Sequence, residues 1–374
     1  MNKYKKPLLL RDSTLREGFD MPQIGLGGTE KLEIFKSLVN LGISSFEVVG
    51  PGNYEKGLSL LSRLHCHKPI MKSGIVSVLC SDLGSRLDRL VESGANHVDL
   101  LLHISEIRLE ATFFRNSVSR TERILEYFQN AFSDAKRAGC DSIGIGFGDV
   151  FRAKPDFVCS LIPHLSELCP DSFVLYDTVG IALPSEVTDL LRRLAQITPV
   201  PLHCHFHNDM GMATANTIVA IESGASGADV TIGGLGDRSG NACLEEVALV
   251  AEYRLGRKTG VELSRLTETS RAILETFGLL DRRLRPVVGD FTFVHSTPSH
   301  FNAILAGQIN AYEAYPPELV GQIRRFQIDD SPEFALALKE SALRKGIQEP
   351  GIDLGLQRNL GRMVTEEELE KVLK

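Results

Sequence analysis

The sequence predicts an α/β protein, a (β/α)8 barrel followed by a small, mostly helical linker subdomain. Three observations carry that expectation. Eight short apolar segments alternate with helix-period patterns over roughly 250 residues, the size of a closed eight-unit barrel. Glycines close several of the helical patterns just before the next apolar segment, as in Leu41-Gly42, Ser93-Gly94, Ala138-Gly139 and Ser223-Gly224, where a left-handed cap costs glycine little. Ionisable residues gather after the apolar segments, the end at which such barrels place their chemistry. Strict alternation of strand and helix implies a parallel sheet. A doubly wound open sheet is the other solution, but no GxGxxG run follows the first segment.

The segments run in order over residues 7–10, 45–49, 74–79, 97–102, 142–145, 173–176, 200–204 and 229–232. Leu32, Phe35, Leu38 and Val39 mark the first long helix, with Thr29 as its N-cap. The apolar run 197–202 reads as the entry to the seventh strand, and Gly211 opens a helix reaching about Ser223. The first strand leads into Arg11-Asp12-Ser13-Thr14-Leu15-Arg16-Glu17-Gly18, and Glu47 belongs to the second. Ser105 to Arg108 follow the fourth, Gly148-Asp149 and Arg152 the fifth, and Asp177-Thr178 the sixth. The eighth precedes a glycine-rich run that ends at Asn241. Residues 1–275 are the expected barrel and 276–374 the linker subdomain, with helices over 331–345 and 365–374.

Composition narrows the function. The 374 residues are 43% hydrophobic and 24% charged, with a net charge of −7 and no basic block, so nucleic-acid binding has no support. No apolar run reaches the roughly 18 residues of a membrane span, and no signal peptide is evident. Seven cysteines without CxxC spacing read as reduced thiols of a cytoplasmic protein.

The most informative stretch is Leu202-His203-Cys204-His205-Phe206-His207-Asn208-Asp209. Residues two apart on a strand share a face, so His205 and His207 can aim at one point while Cys204 faces away. Two imidazoles and one carboxylate suit a borderline or hard divalent ion. Asp12 and Glu17 are both placed to supply the carboxylate.

These motifs resemble the metal-dependent Claisen-condensing family of isopropylmalate, citramalate and homocitrate synthases, with hydroxymethylglutaryl lyase as a more distant relative. The resemblance runs from Asp12 to the stretch Tyr312–Gly321. Arg16-Glu17-Gly18 and Phe151-Arg152 are similar to the homocitrate synthase branch. The resemblance implies Glu17, His205, His207 and Asn241 at a divalent metal (Mg, Mn, Co or Zn), Arg16 at the developing oxygen charge and Thr178 at a substrate carboxylate. It implies His300 and Tyr312 as catalytic residues that reach the partner's site in a homodimer. The reaction implied is condensation of acetyl-CoA with a 2-oxo acid, releasing CoA.

Three departures bear on the substrate. The family's acid at the fifth strand end is replaced by Gly148, which leaves proton transfer to His300, alone or with Asp20 assisting. Asp20 also stands where relatives carry a glutamine that touches the oxo acid. Gly144 replaces the arginine that grips 2-oxoglutarate in homocitrate synthases. Gly144, Gly146 and Gly148 leave one strand face bare, which reads either as close backbone packing or as a pocket for a larger oxo acid. The glycines favour phenylpyruvate and Arg108 favours phosphonopyruvate. A lyase of the hydroxymethylglutaryl type and a catalytically silent barrel are the competing readings. The chain stops before the feedback domain of long isopropylmalate synthases, so leucine inhibition through such a domain is not expected.

Overall fold

The computed structural model describes residues 6–19, 21, 25–64, 70–112, 120–328, 331–344 and 361–373. Asp20, assigned above to substrate binding, lies outside them. By internal packing the chain divides into Met1–Val261 and Glu262–Lys374.

The first unit is a closed barrel of eight parallel strands in sequential order. They are β1 (Leu9–Asp12), β2 (Ser45–Val49), β3 (Met71–Ser77), β4 (His97–His103), β5 (Ser142–Gly148), β6 (Ser172–Asp177), β7 (Leu202–Phe206) and β8 (Gly227–Val230). Helices that show one apolar face follow the strands. In Pro184–Ile197, for example, Val187, Leu190, Leu191 and Leu194 are buried. The four expected glycine caps are present, all at positive φ: Gly42, Gly94, Gly139 and Gly224. Among the described residues no helix is long and apolar enough to cross a membrane.

Several boundaries differ from the sequence expectation for identifiable reasons. Ile197 ends a helix rather than opening a strand. Pro199 and Pro201 then lack the N–H groups a ladder needs, so β7 starts at Leu202. The helix Gly28–Leu41 begins ahead of Thr29, because the Glu30 carboxylate accepts the Gly27 N–H at 2.5 Å. β1 runs through Arg11 and Asp12, both fully enclosed, and β5 continues past Ile145 along its glycines to Gly148.

The glycine face of β5 does not open a hollow. A Cβ on Gly144 would meet Asp99, one on Gly146 would meet Tyr176 and Leu101, and one on Gly148 would meet the His103 ring at 2.7–3.0 Å. Neighbouring side chains fill the space, so the close-packing reading holds and the enlarged pocket is corrected.

The second unit has its own core of Phe301, Ile304, Phe326, Ile328, Phe334, Ala337, Leu338, Val364 and Leu369. Helices Pro298–Leu305, Pro332–Arg344 and Glu366–Leu373 contribute to it. They are joined by a three-stranded sheet, β9 (Val294–His295), β10 (Arg325–Gln327) and β11 (Met363–Thr365), with β10 in the middle. Strands of two or three residues carry too little periodicity to be read from sequence.

Candidate metal centre

β7 delivers three histidines at alternate positions. His203 and His205 lie on the inner face, and Cys204 is buried on the other face, as alternation requires. His207 lies just past the strand, held by a bridge to Asn241. The first turn after β1 brings Glu17 to the same place: its Oε1 lies 3.5 Å from His205 Nε2 and 3.9 Å from His207 Nε2. The two Nε2 atoms are 3.4 Å apart. All three residues are largely buried, His207 the most exposed of them at 9%. Glu17, and not Asp12, is therefore the carboxylate of the group. Both Asp12 oxygens are engaged locally, accepting the Thr14 N–H and hydroxyl at 3.0 and 2.9 Å.

The protonation states follow from the surroundings. Asp229 Oδ2 lies 3.0 Å from His205 Nδ1, so that nitrogen carries a hydrogen and Nε2 is turned toward Glu17 and His207. A carboxylate behind an imidazole is the usual support of a metal-binding histidine. Burial, with the neighbouring His205, holds the His207 ring down to about 3. Arg16 and both histidines hold the Glu17 carboxyl down to about 2 against its burial. An ionised carboxylate and two imidazole nitrogens thus converge.

A divalent cation fits these residues because Glu17 Oε1 and the Nε2 atoms of His205 and His207 lie 3.4 to 3.9 Å from one another. Beside them Asn241 Oδ1 is buried and, among the described residues, has no hydrogen-bond partner, while the Asn241 amide is oriented by donation to Leu235 O at 3.1 Å. A buried ion set surrounds the group, with two arginines, Arg11 and Arg16, and four carboxylates, Glu17, Glu47, Asp99 and Asp229.

That ion set was not visible in the sequence. Arg11 binds Asp229 through two hydrogen bonds of 2.7 and 2.9 Å and Asp99 through a third of 2.5 Å. His97 lies 3.0 Å from Asp99, His203 lies 2.7 Å from Asp229, and the Tyr176 hydroxyl donates to Asp99 at 3.3 Å. Arg16, buried as well, pairs through Nη1 with Glu17 at 2.5 Å and donates through Nε to Glu47. Its guanidinium therefore sits beside the metal-site carboxylate.

The other expected residues fall into three places. Thr178 is at the rim, its hydroxyl accepting the Asp149 N–H at 2.8 Å. Arg108 is exposed in the short helix Glu106–Thr112 after β4. His300 and Tyr312 belong to the second unit, where their rings stack at 3.8 Å. There His300 Nδ1 is 3.4 Å from His295 Nδ1, and His295 Nε2 is 3.0 Å from Glu313, itself doubly bound by Arg324. Cys243, after Asn241, donates its buried thiol to Glu245 at 2.9 Å, and burial raises it well above the usual thiol range.

A model of the HMGL-like family matches residues 8–273. A putative (R)-citramalate synthase of Archaeoglobus fulgidus is 29% identical over 97% of this chain and 69% of its own length. The (R)-citramalate synthase of Methanocaldococcus jannaschii is 31% identical over 84% of the chain and 62% of its own. Methylthioalkylmalate synthase 3, chloroplastic, of Arabidopsis thaliana is 30% identical over 86% and 67%. The chain thus spans about two thirds of the length of these curated relatives. Among solved structures, hydroxymethylglutaryl-CoA lyase of Pseudomonas aeruginosa shares the fold, with a TM-score of 0.62 at 20% identity over 74% of this chain and 95% of that one.

Proposed function

Because the chain belongs to the HMGL-like family, we propose that it is an acyltransferase that condenses acetyl-CoA with a 2-oxo acid and releases CoA. The observation that carries this reading is the convergence of Glu17, His205 and His207 at the C-terminal rim of the barrel, with the His205 tautomer fixed by Asp229. The synthase names of the relatives support it.

In this reading Glu17, His205 and His207, with Asn241 beside them, hold a divalent ion. When bound, the ion supplies Lewis-acid polarisation of the ketone carbonyl. Arg16 presents a guanidinium that is charged at every working pH to oxygen charge developing at the ketone. The Thr178 hydroxyl, which accepts from Asp149 N, keeps its own hydrogen to donate to a substrate carboxylate. The bare strand that suggested phenylpyruvate is occupied by Asp99, Tyr176 and His103, so the reading carries no large apolar recess there. A homodimer in which His300 and Tyr312 of one chain serve the other belongs to the same reading. Light scattering of the purified chain tests it.

The deciding experiment is CoA thiol release with Mn2+ or Mg2+ and acetyl-CoA, run against pyruvate, 2-oxoisovalerate, 2-oxoglutarate, oxaloacetate, phenylpyruvate and phosphonopyruvate. Release that requires one oxo acid and disappears in Glu17→Ala is the expected result. Silence with all six, despite bound metal, would overturn the reading.

A further inference from the structure

We propose that His103 is the base of the condensation, taking the proton from the acyl carbon that becomes the nucleophile. The inference rests on the reading above and adds a residue to its machinery.

Position is the first argument. Register across the sheet aligns His103 with Gly148, Gly148 with Tyr176 and Tyr176 with His205. Aligned residues of neighbouring parallel strands point to one face, and His205 faces the metal centre. Leu101, two residues before His103, packs with Ile75, Val174 and Tyr176 inside the barrel. His103 therefore faces inward at the C-terminal end of β4, on the same row as the metal-site histidine and three strands away. The two rings are about 14 Å apart along the wall at strand spacing, with Tyr176 on the row between them.

The second argument is Gly148. A Cβ there would lie 2.7 to 3.0 Å from the His103 ring, so the absence of a side chain on β5 is what admits the imidazole to this row. Gly148 has no positive φ, so close approach rather than backbone strain calls for glycine.

The third is the pattern of partners. His97 is held by Asp99, and His203 and His205 by Asp229. His103 is half-buried, and among the described residues its ring makes no hydrogen bond. The ionic groups around it are Asp149, Arg108 and Arg152. Asp149 is committed to Arg152 by bonds of 2.7 and 2.6 Å, and to Ser105. Burial, reinforced by the two arginines, lowers the ring below its ordinary range, so a neutral imidazole with an available lone pair faces the barrel mouth near pH 7.

The step balances as follows. The imidazole lone pair takes the α-proton of the acetyl thioester, and the C–H electron pair forms the new C–C bond to the ketone carbon. The C=O π pair passes to the ketone oxygen, which takes a proton from solvent and becomes the hydroxyl. The imidazolium returns its proton to solvent. Water then cleaves the thioester, giving a carboxylate, a proton and the free thiol.

The test uses the full chain, Mn2+, acetyl-CoA and whichever of the six oxo acids supports turnover. His103→Ala is expected to lower kcat about 10²- to 10⁴-fold, the range of a lost acid–base group, with Mn2+ binding and melting temperature retained. Added imidazole should restore part of the rate to His103→Ala and none to His103→Asn. Gly148→Ala needs the volume the ring occupies, so it should lose rate in the same way and add little in the double variant. An active wild type whose His103 variants keep kcat within about threefold would overturn this inference and leave the condensing reading standing. Loss of rate together with Mn2+ binding in both His103 variants would also overturn it, as a structural role. A wild type that binds Mn2+ but is silent with every oxo acid would overturn both.

Discussion

Two layers of the barrel interior use the same kinds of side chain to opposite ends. In the lower layer, Arg11, Asp99, Asp229, His97 and His203 pair with one another through short hydrogen bonds. At the rim, Glu17, His205, His207 and Asn241 stand close together, but among the described residues His207 Nδ1 and Asn241 Oδ1 have no hydrogen-bond partner. β7 supplies both layers, with His203 below and His205 and His207 above. Asp229 joins them, holding His203 with one oxygen and His205 with the other. A buried polar group left unpaired costs stability, and the rim carries two. Paired charges build the scaffold below, while the rim gathers the groups that suit a ligand.

The largest effect should come from removing a rim ligand. Glu17→Ala takes away the only carboxylate facing both imidazoles in that group, so metal content by elemental analysis and CoA release should both fall to background. The fold should survive, because Arg16 keeps Glu47 as a buried partner when Glu17 is lost. Retention of stoichiometric metal by this variant would erase the distinction between the layers.

Next in size are the two lower-layer aspartates, and they should differ from each other. Asp229→Asn and Asp99→Asn each leave Arg11 short of a buried partner, a loss of about 3–5 kcal/mol in chemical denaturation. Only Asp229 also orients His205, so only Asp229→Asn should weaken metal affinity in addition, about 10- to 100-fold. Equal metal affinity in the two variants would show that the layers are not coupled through Asp229.

Acid should expose the rim before the lower layer. The buried His207 ring, held down to about 3, refuses the proton that an unfolded His207 takes up below about pH 6.5. The unfolded state then binds more protons, so stability of the metal-free protein should fall by about 1.4 kcal/mol per pH unit as pH drops through that window. Glu17, held down to about 2, adds a loss of the same sign below the ordinary carboxyl range. His207→Gln should flatten the upper part of the curve in urea titrations at stepped pH.

How much of this was legible beforehand divides along the same line. The histidines of β7 were readable because spacing of two on a strand is a local property, whereas position at a strand end left Asp12 and Glu17 both open and the family resemblance pointed to Glu17. β2 was readable to the residue, since Ser45–Val49 is buried throughout. Arg11 and Asp229, by contrast, are 218 positions apart, and no period relates them. Charged residues inside a four-residue strand look like its end, which is why β1 was placed too early. The bare face of β5 was visible as Gly144, Gly146 and Gly148. What fills it comes from Asp99, Leu101 and His103 on one neighbouring strand and Tyr176 on the other, and the register between strands is a tertiary fact. The little sheet of the second unit was missed because its strands are too short to show alternation.

The smallest effect tests the comparison from outside the barrel. Arg238, at a positive φ in the loop after β8, binds Asp209 through two hydrogen bonds of 2.7 and 2.9 Å, Asp237 at 2.6 Å and the Thr178 carbonyl at 2.9 Å. It ties together the loops after β6, β7 and β8 with as many charged contacts as Arg11 makes in the lower layer. Its side chain is 40% exposed, so water competes for every contact and salt screens the pairs. Arg238→Ala should therefore cost less than about 1 kcal/mol, against several for the Arg11 layer, with metal affinity unchanged because none of the four rim residues bonds to it. The loop carrying Thr178 loses a tether, so any kinetic change should appear in KM for the oxo acid rather than in kcat. A destabilisation as large as that of Asp99→Asn would mean that contact number, and not removal from water, sets the worth of these ion pairs.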